Sequence, residues 1–281
     1  MKTSNKLLIA LAALLIIVPI LVIAINVNLN YIDKKVFWKQ LKDNQSLNSI
    51  LDGYENKNLP KFTTINFSDG NNAYINLEII KSEKTGIKIP IGLSEQYDLS
   101  VDNNQTLQIK LTHPEKKLKY SVTIYIYTSD IKRLNIEKAS GFNLNISTNT
   151  IDINAKNVNH LDFTEETKIN NLNLNMEKVQ DLTFSGTNTI QNIDMKLNES
   201  NFSTSKSFFK SLNIVSNGHS NIDISGDEQD KNKYQIDFLS IKTTGKTSLN
   251  LEDIKVAKSI GDLSDSTKVS MPAFLLKTMF K

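Results

Sequence analysis

Short apolar-polar-apolar triplets recur through the second half of the chain and constrain its fold more than any other sequence feature. In each triplet one polar residue, most often Asn or Asp, separates two apolar residues. Because side chains alternate between the two faces of a strand, each triplet predicts a short strand with its apolar pair inward and its polar residue outward. The triplets are Leu134–Ile136, Leu144–Ile146, Ile151–Ile153, Leu161–Phe163, Leu172–Leu174, Leu182–Phe184, Ile193–Met195, Leu212–Ile214, Ile222–Ile224, Ile236–Phe238 and Leu249–Leu251.

The spacing of the triplets predicts how these strands stack. Between residues 151 and 195 alternate triplets lie about twenty-one residues apart, which is within the range of one coil of a solenoid. Two interleaved series result, and equivalent strands are expected to pair in parallel. One series runs through Ile153, Leu174, Met195 and Ile214, and the other through Phe163, Phe184, a weaker position near Phe202, and Ile224. The prediction is an all-β fold, a parallel β-helix or solenoid with coils of about twenty-one residues.

Asn makes up about one residue in eight, and many of its positions are at the centres of triplets. An amide side chain both donates and accepts hydrogen bonds, so stacked Asn residues can form ladders along the coils. The charged stretch Asp227–Lys233 interrupts the spacing and predicts a loop between coils. The apolar residues of Met271–Lys281 predict a cap on the last coil.

Period-two alternation also precedes the triplets, from about Phe62 onward. The predicted strands are Ile65–Phe67, Tyr74–Leu77, Ile87–Ile89, Leu107–Leu111 and Val122–Ile126. Residues 61–281 are therefore assigned to the solenoid domain.

The N-terminus predicts export. Lys2 and Lys6 precede an uncharged apolar run, Leu7–Ile25, which is long enough for a transmembrane helix. An uncleaved signal-anchor over residues 1–26 is favoured over a cleaved signal peptide, with residues 7–25 contacting the lipid bilayer. The chain beyond residue 27 is then expected outside the cytoplasm, periplasmic or extracellular, at the cell membrane. Residues 27–60 are interpreted as a linker with a short amphipathic helix over Lys34–Leu51.

Composition excludes several function classes. Basic residues exceed acidic ones by only three (33 against 30), without a clustered basic patch, so no nucleic-acid partner is expected. Arg133 is the only arginine, which argues against a site built from several bidentate clamps. The chain has no cysteine, and thiol catalysis, disulfides and a lipidated N-terminal cysteine are excluded.

Several residues have side chains suited to catalysis or binding. A pair of carboxylates on neighbouring coils could hydrolyse a glycan, but a solvated outer row is the favoured interpretation. The candidates are Asp152, Asp162, Asp194, Asp223 and Asp237. The three histidines, His113, His160 and His219, show no spacing for a metal site or a triad. The aromatic residues Trp38, Tyr120, Tyr125 and Tyr127 could stack on sugars or be buried. No catalytic, cofactor-binding or metal-binding residue is assigned, and no cofactor is predicted.

Two segments carry a family resemblance. Tyr120–Ile126, then Leu134–Gly141, followed by the repeated triplets, resembles the head-GIN domain family, whose members are called putative auto-transporter adhesins. The resemblance implies β-helical coils behind an export signal in a cell-envelope protein, and it brings no catalytic residues. The family's small-residue motif is reduced here to Ala139-Ser140-Gly141, and Asn replaces many small residues.

The expected function is a non-enzymatic structural, adhesion or surface-binding role in the cell envelope, with a polysaccharide or a surface protein as partner. The alternative is a polysaccharide lyase or glycoside hydrolase on the same scaffold. Sequence alone leaves open the partner, the oligomeric state, the handedness of the coil and whether the N-terminal span is cleaved.

Overall fold

The computed structural model describes residues 11, 14–20, 46–70, 73–112, 121–184, 188–231 and 233–280. It divides into two compact units, residues 1–49 and 50–281. In the first unit residues 14–20 are helical and residues 46–49 form a turn. Most of the predicted span at 7–25, and of the helix predicted over Lys34–Leu51, lies outside the described residues. Within the described ranges, no helix has the length and apolar character needed to cross a membrane.

The second unit is mostly β and contains one large mixed sheet. Its strands are β1 (Tyr54–Asn58), β2 (Thr64–Phe67), β3 (Tyr74–Lys81), β4 (Gly86–Pro90), β5 (Tyr97–Val101), β6 (Thr106–Leu111), β7 (Val122–Thr128), β8 (Arg133–Phe163), β9 (Lys168–Phe184), β10 (Thr189–Asn198), β11 (Phe202–Ser205), β12 (Phe209–Asn217), β13 (Ser220–Ser225), β14 (Gln235–Thr243), β15 (Thr247–Glu252), β16 (Lys255–Asp262) and β17 (Lys268–Ser270). Two short helices, α1 (Ile91–Ser94) and α2 (Ala273–Met279), complete the described elements of this unit. β1 lies within the residues interpreted as a linker.

The first seven strands include antiparallel pairs that the sequence did not predict. β4 pairs antiparallel with β1 and with β7, and β5 pairs antiparallel with β6. β5 and β6 pair antiparallel because only residues 102–105 join them, whereas a parallel pair needs a long crossover connection. The Asp102 carboxylate fixes this turn by accepting hydrogen bonds from the backbone N–H groups of Asn104 (2.9 Å) and Thr106 (3.0 Å). A hydrogen bond from the Gln108 side chain, together with the weaker effects of these backbone bonds, lowers the pKa of Asp102.

From β8 onward the described strands pair in parallel, and from Ile151 to Ile224 alternate triplets lie side by side as predicted. The predicted triplet Ile236–Phe238 is displaced, because Leu212 and Ile214 are level with Leu239 and Ile241 instead. Phe238 is level with Ser211 and is only partly buried. Ile153 is level with Leu174, Leu174 with Met195, and Met195 with Ile214. In the other series Phe163 is level with Phe184, Phe184 with Thr204, and Thr204 with Ile224. Thr204 therefore occupies the position where the sequence series is weak, while Phe202 aligns with Leu182.

The apolar residues of the triplets form the core between the strands. Phe163, Phe184 and Phe202 are buried and contact one another edge to face, with ring centroids 4.9 and 5.4 Å apart. Such aromatic pairs add about 0.5–1.5 kcal/mol beyond the area they bury. Because a single strand cannot cover its own apolar face, each level of the core depends on the levels beside it.

The loop and the C-terminal cap that the sequence predicts are both present. In the described part of Asp227–Lys233 the chain forms a loop without helix or strand, and Asp227 accepts a hydrogen bond from the backbone N–H of Gln229 (3.1 Å). At the C-terminus the predicted cap is helix α2, which buries Leu275 and Met279. It contacts β16, where the Thr278 hydroxyl lies 3.1 Å from the Ser259 hydroxyl. Gly261 permits this contact, because a side chain there would collide with Met279.

Candidate functional site: a polar groove across parallel strands

A column of polar side chains crosses the outer face of β8, β9, β10 and β12. Each position belongs to one level of paired strands, here called a rung. From the first rung to the fifth, this first column consists of Arg133, Asp152, Asn173, Asp194 and Asn213. Four of these residues are the centres of triplets or align with them, and strand pairing brings them together although about twenty residues of chain separate successive members.

Hydrogen bonds connect the rungs of the first column. The Asn173 amide donates to the Asp152 carboxylate (2.8 Å), and the Asn213 amide donates to the Asp194 carboxylate (2.7 Å). Arg133 forms an ion pair with Asp152, with Nη2 to Oδ2 at 3.2 Å. The column is therefore a ladder in which every carboxylate accepts a bond from a neighbouring rung.

A second column lies beside the first, two residues further along each strand. Its members are Asn135, Asn154, Asn175, Lys196 and Val215. The Asn154 amide donates to the Asn135 amide oxygen (2.8 Å). Asn175 is exposed, and its side chain makes no hydrogen bond with any described residue. The triplet pattern did not predict this column, although the sequence contains a signal for it: a polar residue directly follows several triplets, at a position that faces outward.

The two columns line an open groove of about 860 Å³. Two cationic groups, Arg133 and Lys196, and two carboxylates, Asp152 and Asp194, make its formal charge zero. The backbone floor includes Leu174 and Met195, whose side chains are buried. Next to the groove, Lys156 and Glu177 form an ion pair of 2.9 Å, which raises the pKa of the Lys156 ammonium group.

The five Asp residues do not form one row. Asp152 and Asp194 line the groove two rungs apart, a separation of about 9–10 Å at the usual strand spacing. Asp162 lies on β8 beyond the groove and accepts a hydrogen bond from the Tyr74 hydroxyl (3.1 Å). Asp237 accepts a bond from Gln235 of its own strand, and Asp223 belongs to β13.

The described histidines lie outside the groove. His160 forms a 3.0 Å contact with the Asp181 carboxylate and stacks on Tyr74, with ring centroids 6.3 Å apart. Burial, followed by the electrostatic effect of Asp162, raises the pKa of Tyr74. His219 adjoins Ser220 on a separate shallow surface, and His113 is outside the described residues. In the part of the chain that the structure describes, no group of three His, Asp or Glu side chains could hold a metal ion.

The candidate sugar-stacking tyrosines are largely covered. Tyr125 and Tyr127 lie on the same face of β7, as alternation predicts. Tyr127 is 1% exposed on the strand paired with β4, and the Lys88 ammonium lies 5.7 Å from its ring centroid. Tyr125 packs against Tyr54, with ring centroids 5.7 Å apart. Trp38 and Tyr120 are outside the described residues.

The fold and the groove define a β-rich protein with a polar, ladder-forming outer face. The family model described as "Putative auto-transporter adhesin, head GIN domain" matches residues 61–236. Since this match covers more than half of the chain, the protein belongs to that family, and the resemblance seen in the sequence is confirmed.

Several solved structures are similar to the chain. One putative adhesin from Parabacteroides merdae is 15% identical, with a TM-score of 0.42 over 78% of this chain and 95% of that one. Another, from Bacteroides fragilis, is 15% identical, with a TM-score of 0.48 over 77% and 93%. A putative lipid binding protein from Parabacteroides distasonis is 13% identical, with a TM-score of 0.39 over 78% and 96%. Comparison with curated proteins gave no match.

Proposed function

We propose that this protein is an exported, membrane-anchored β-solenoid of the cell envelope that binds another surface without chemically changing it. The solenoid interpretation is supported by the parallel pairs that follow one another from β8 to β17. Hydrogen-bonded side chains on neighbouring rungs are separated by 21 residues at Asp152 and Asn173 and by 19 at Asp194 and Asn213. Similar chain lengths between successive paired rungs are typical of stacked coils.

Export and anchoring are supported by the apolar run Leu7–Ile25 and by membership of an adhesin family. Separation of bacterial membranes from soluble fractions tests this part of the proposal. The full chain should remain with the membranes after an alkaline wash, and a variant lacking residues 1–26 should not. Recovery of the full chain in the wash would contradict anchoring.

The observation that carries the binding role is the groove between the two columns of polar side chains. Ladder bonds hold the side chains of the first column and of the Asn135–Asn154 pair in position, so a ligand would meet a largely preorganised surface with a low ordering cost. Envelope polysaccharides and surface proteins are the candidate partners.

A retention assay tests the proposed function. The full chain, purified in mild detergent and immobilised, is incubated with a panel of envelope glycans and outer-surface proteins, and each sample is analysed for retention and for new reducing or unsaturated ends. Retention without new ends is expected. New ends would replace the binding role with an enzymatic one, and the absence of retention by every panel member would reject it.

A second candidate function, glycoside hydrolysis, is supported by one observation. Asp152 and Asp194 face the same groove at a separation of about 9–10 Å, close to the upper limit for carboxylate pairs of inverting hydrolases. Against this role, both carboxylates accept bonds within the ladder and Asp152 also pairs with Arg133. If new reducing ends appear, Asp152→Asn and Asp194→Asn should each abolish them.

A further inference from the structure

We propose that the groove binds a linear, uncharged polysaccharide that runs along the stack, across the strands, with about one sugar for each rung. This inference rests on the proposed binding role and specifies the ligand class of the same site.

The spacing of the polar groups supports this ligand. Parallel strands lie about 4.8 Å apart, so the first column presents a polar side chain at that interval on all five rungs and the second column does so on every rung except that of Val215. The groove continues over five rungs, from Arg133 to Asn213. The rise of an extended β-linked polysaccharide per sugar is close to this strand spacing. Successive sugars can therefore each meet a polar side chain of the first column without bending of the polysaccharide.

The hydrogen-bonding capacity of the groove matches hydroxyl groups. An Asn amide has two N–H donors and an acceptor oxygen, and the ladder bonds use only one N–H each at Asn173 and Asn154. The Asn213 amide donates both to Asp194 and to the Ser211 hydroxyl. Asn175, in the middle rung, makes no side-chain bond to any described residue. Sugar hydroxyls both donate and accept, so they can use the remaining donors and acceptors.

The charge of the groove argues for an uncharged ligand. Arg133 and Lys196 are offset by Asp152 and Asp194, and Arg133 already pairs with Asp152. An anionic polymer would gain little Coulomb energy and would meet both carboxylates. A protein partner is disfavoured because, among the described lining residues, none is aromatic and Val215 is the single outward-facing apolar side chain. Aromatic and apolar anchors are what protein interfaces need at their centres.

The test uses the full chain in mild detergent with defined oligosaccharides. The probes are uncharged β-1,4-linked glucose and N-acetylglucosamine oligomers of increasing length, with oligogalacturonates as the anionic comparison. Affinity for at least one uncharged series should rise with each sugar and level off at about five, because the groove has five rungs. The oligogalacturonates should bind more weakly.

Two groove variants and one matched control locate the binding site. Asn175→Ala removes a side chain that makes no bond in the fold, and it should weaken binding about three- to tenfold. Val215→Arg places a long side chain in the groove from an outward-facing position, and it should reduce binding below detection. Asn221→Ala removes an exposed Asn from β13, outside the groove, and should bind like the wild type. Thermal unfolding checks that each variant is folded.

The outcomes separate this inference from the proposed function. Wild-type affinity in both groove variants would overturn the inference while the binding role remains. Retention of anionic glycans or proteins alone would have the same consequence. Failure to retain any ligand would overturn both.

Discussion

Non-glycine residues with a left-handed backbone mark one corner of the stacked strands. Asn157, Lys178 and Glu199 have φ of 54°, 55° and 49°, and Gly218 follows with φ of 76°. Their neighbours are paired from β8 to β9, β10 and β12, so these residues form one column. A left-handed conformation costs a residue with a Cβ about 1–2 kcal/mol, and glycine avoids this cost. Gly218 has the residue type that this geometry favours most, and Asn157 has one that tolerates it, whereas Lys178 and Glu199 have neither.

Lys178 gives a direct test of this corner. Its side chain is exposed, so Lys178→Gly mainly removes the steric cost of the left-handed backbone conformation. The substitution should raise the free energy of unfolding by about 0.5–1 kcal/mol. Lys178→Val should lower it, since a β-branched side chain tolerates this conformation least. Urea unfolding curves of both variants check the prediction. A stability loss in the Gly variant would show that the corner does not store this cost.

The raised pKa of Tyr97 predicts how the stability of the protein changes at alkaline pH. Its hydroxyl is buried without a hydrogen-bond partner among the described residues, and burial, with a smaller effect from Asp69, raises its pKa. Below about pH 10 Tyr97 is protonated in both states, whereas above it only the unfolded chain ionises readily. The stability associated with this group is therefore lost as pH rises, by at most about 1.4 kcal/mol per pH unit.

Tyr97→Phe should reduce that alkaline loss. At neutral pH the variant should be as stable as the wild type or up to about 1 kcal/mol more stable, because it removes an unpaired buried hydroxyl. Urea midpoints at about pH 7, 9 and 11 measure the effect. Tyr234→Phe, on a partly exposed ring, controls for the loss of a tyrosine hydroxyl outside the core. Equal alkaline losses in wild type and Tyr97→Phe would refute the prediction.

Among the structural elements, the strands depend on the local sequence pattern, whereas the C-terminal cap depends on a tertiary contact. The strands of the triplet region follow from local alternation, because each buries its apolar pair on one side. The cap depends on a close approach, since α2 contacts β16 over Gly261 and leaves much of its other face in solvent. Leu275 is 2% exposed, while the adjacent Leu276 is 36% exposed.

These two leucines form a matched pair for testing the cap. Leu275→Ala should lower the free energy of unfolding by about 2–3 kcal/mol, as expected for a buried leucine. Leu276→Ala should change it by at most about 0.5 kcal/mol. Chemical denaturation followed by circular dichroism gives both values. Similar effects for the two variants would mean that α2 is not held against β16 through Leu275.

At the scale of the second unit, the proposed solenoid makes each coil an exchangeable layer. β9 pairs with β8 before it and with β10 and β11 after it. Ser147 is level with Lys168, so removal of residues 147–167 takes out 21 residues and brings Lys168 to the position of Ser147. All later side chains keep their inward or outward direction.

Two deletions that differ by one residue should have opposite effects on folding. The chain without residues 147–167 should fold, with cooperative unfolding and a β-type circular dichroism spectrum. Removal of residues 148–167 instead reverses the direction of every later side chain across the junction, and that variant should aggregate or remain unfolded. Size-exclusion chromatography and thermal melting distinguish them. Equal folding of the two deletions would contradict the stacked-coil proposal.

The sequence alone determined the features that repeat. Alternation at Ile151–Ile153 and Leu172–Leu174, with a nearly constant spacing, predicted parallel pairing and the Asn ladders, since both depend only on period and chain length. The loop at Asp227–Lys233 and the C-terminal cap were also predicted, because each interrupts the pattern.

Only the tertiary structure decided which polar side chains meet. Arg133 precedes a triplet and Asn175 follows one, so neither stands out in a search for triplet centres, yet strand register brings both into the groove. The antiparallel pairs of β4 and β5 likewise depend on short turns and on neighbours distant in the chain. A repeating pattern is local information, whereas contact between rungs depends on register across about twenty residues of intervening chain.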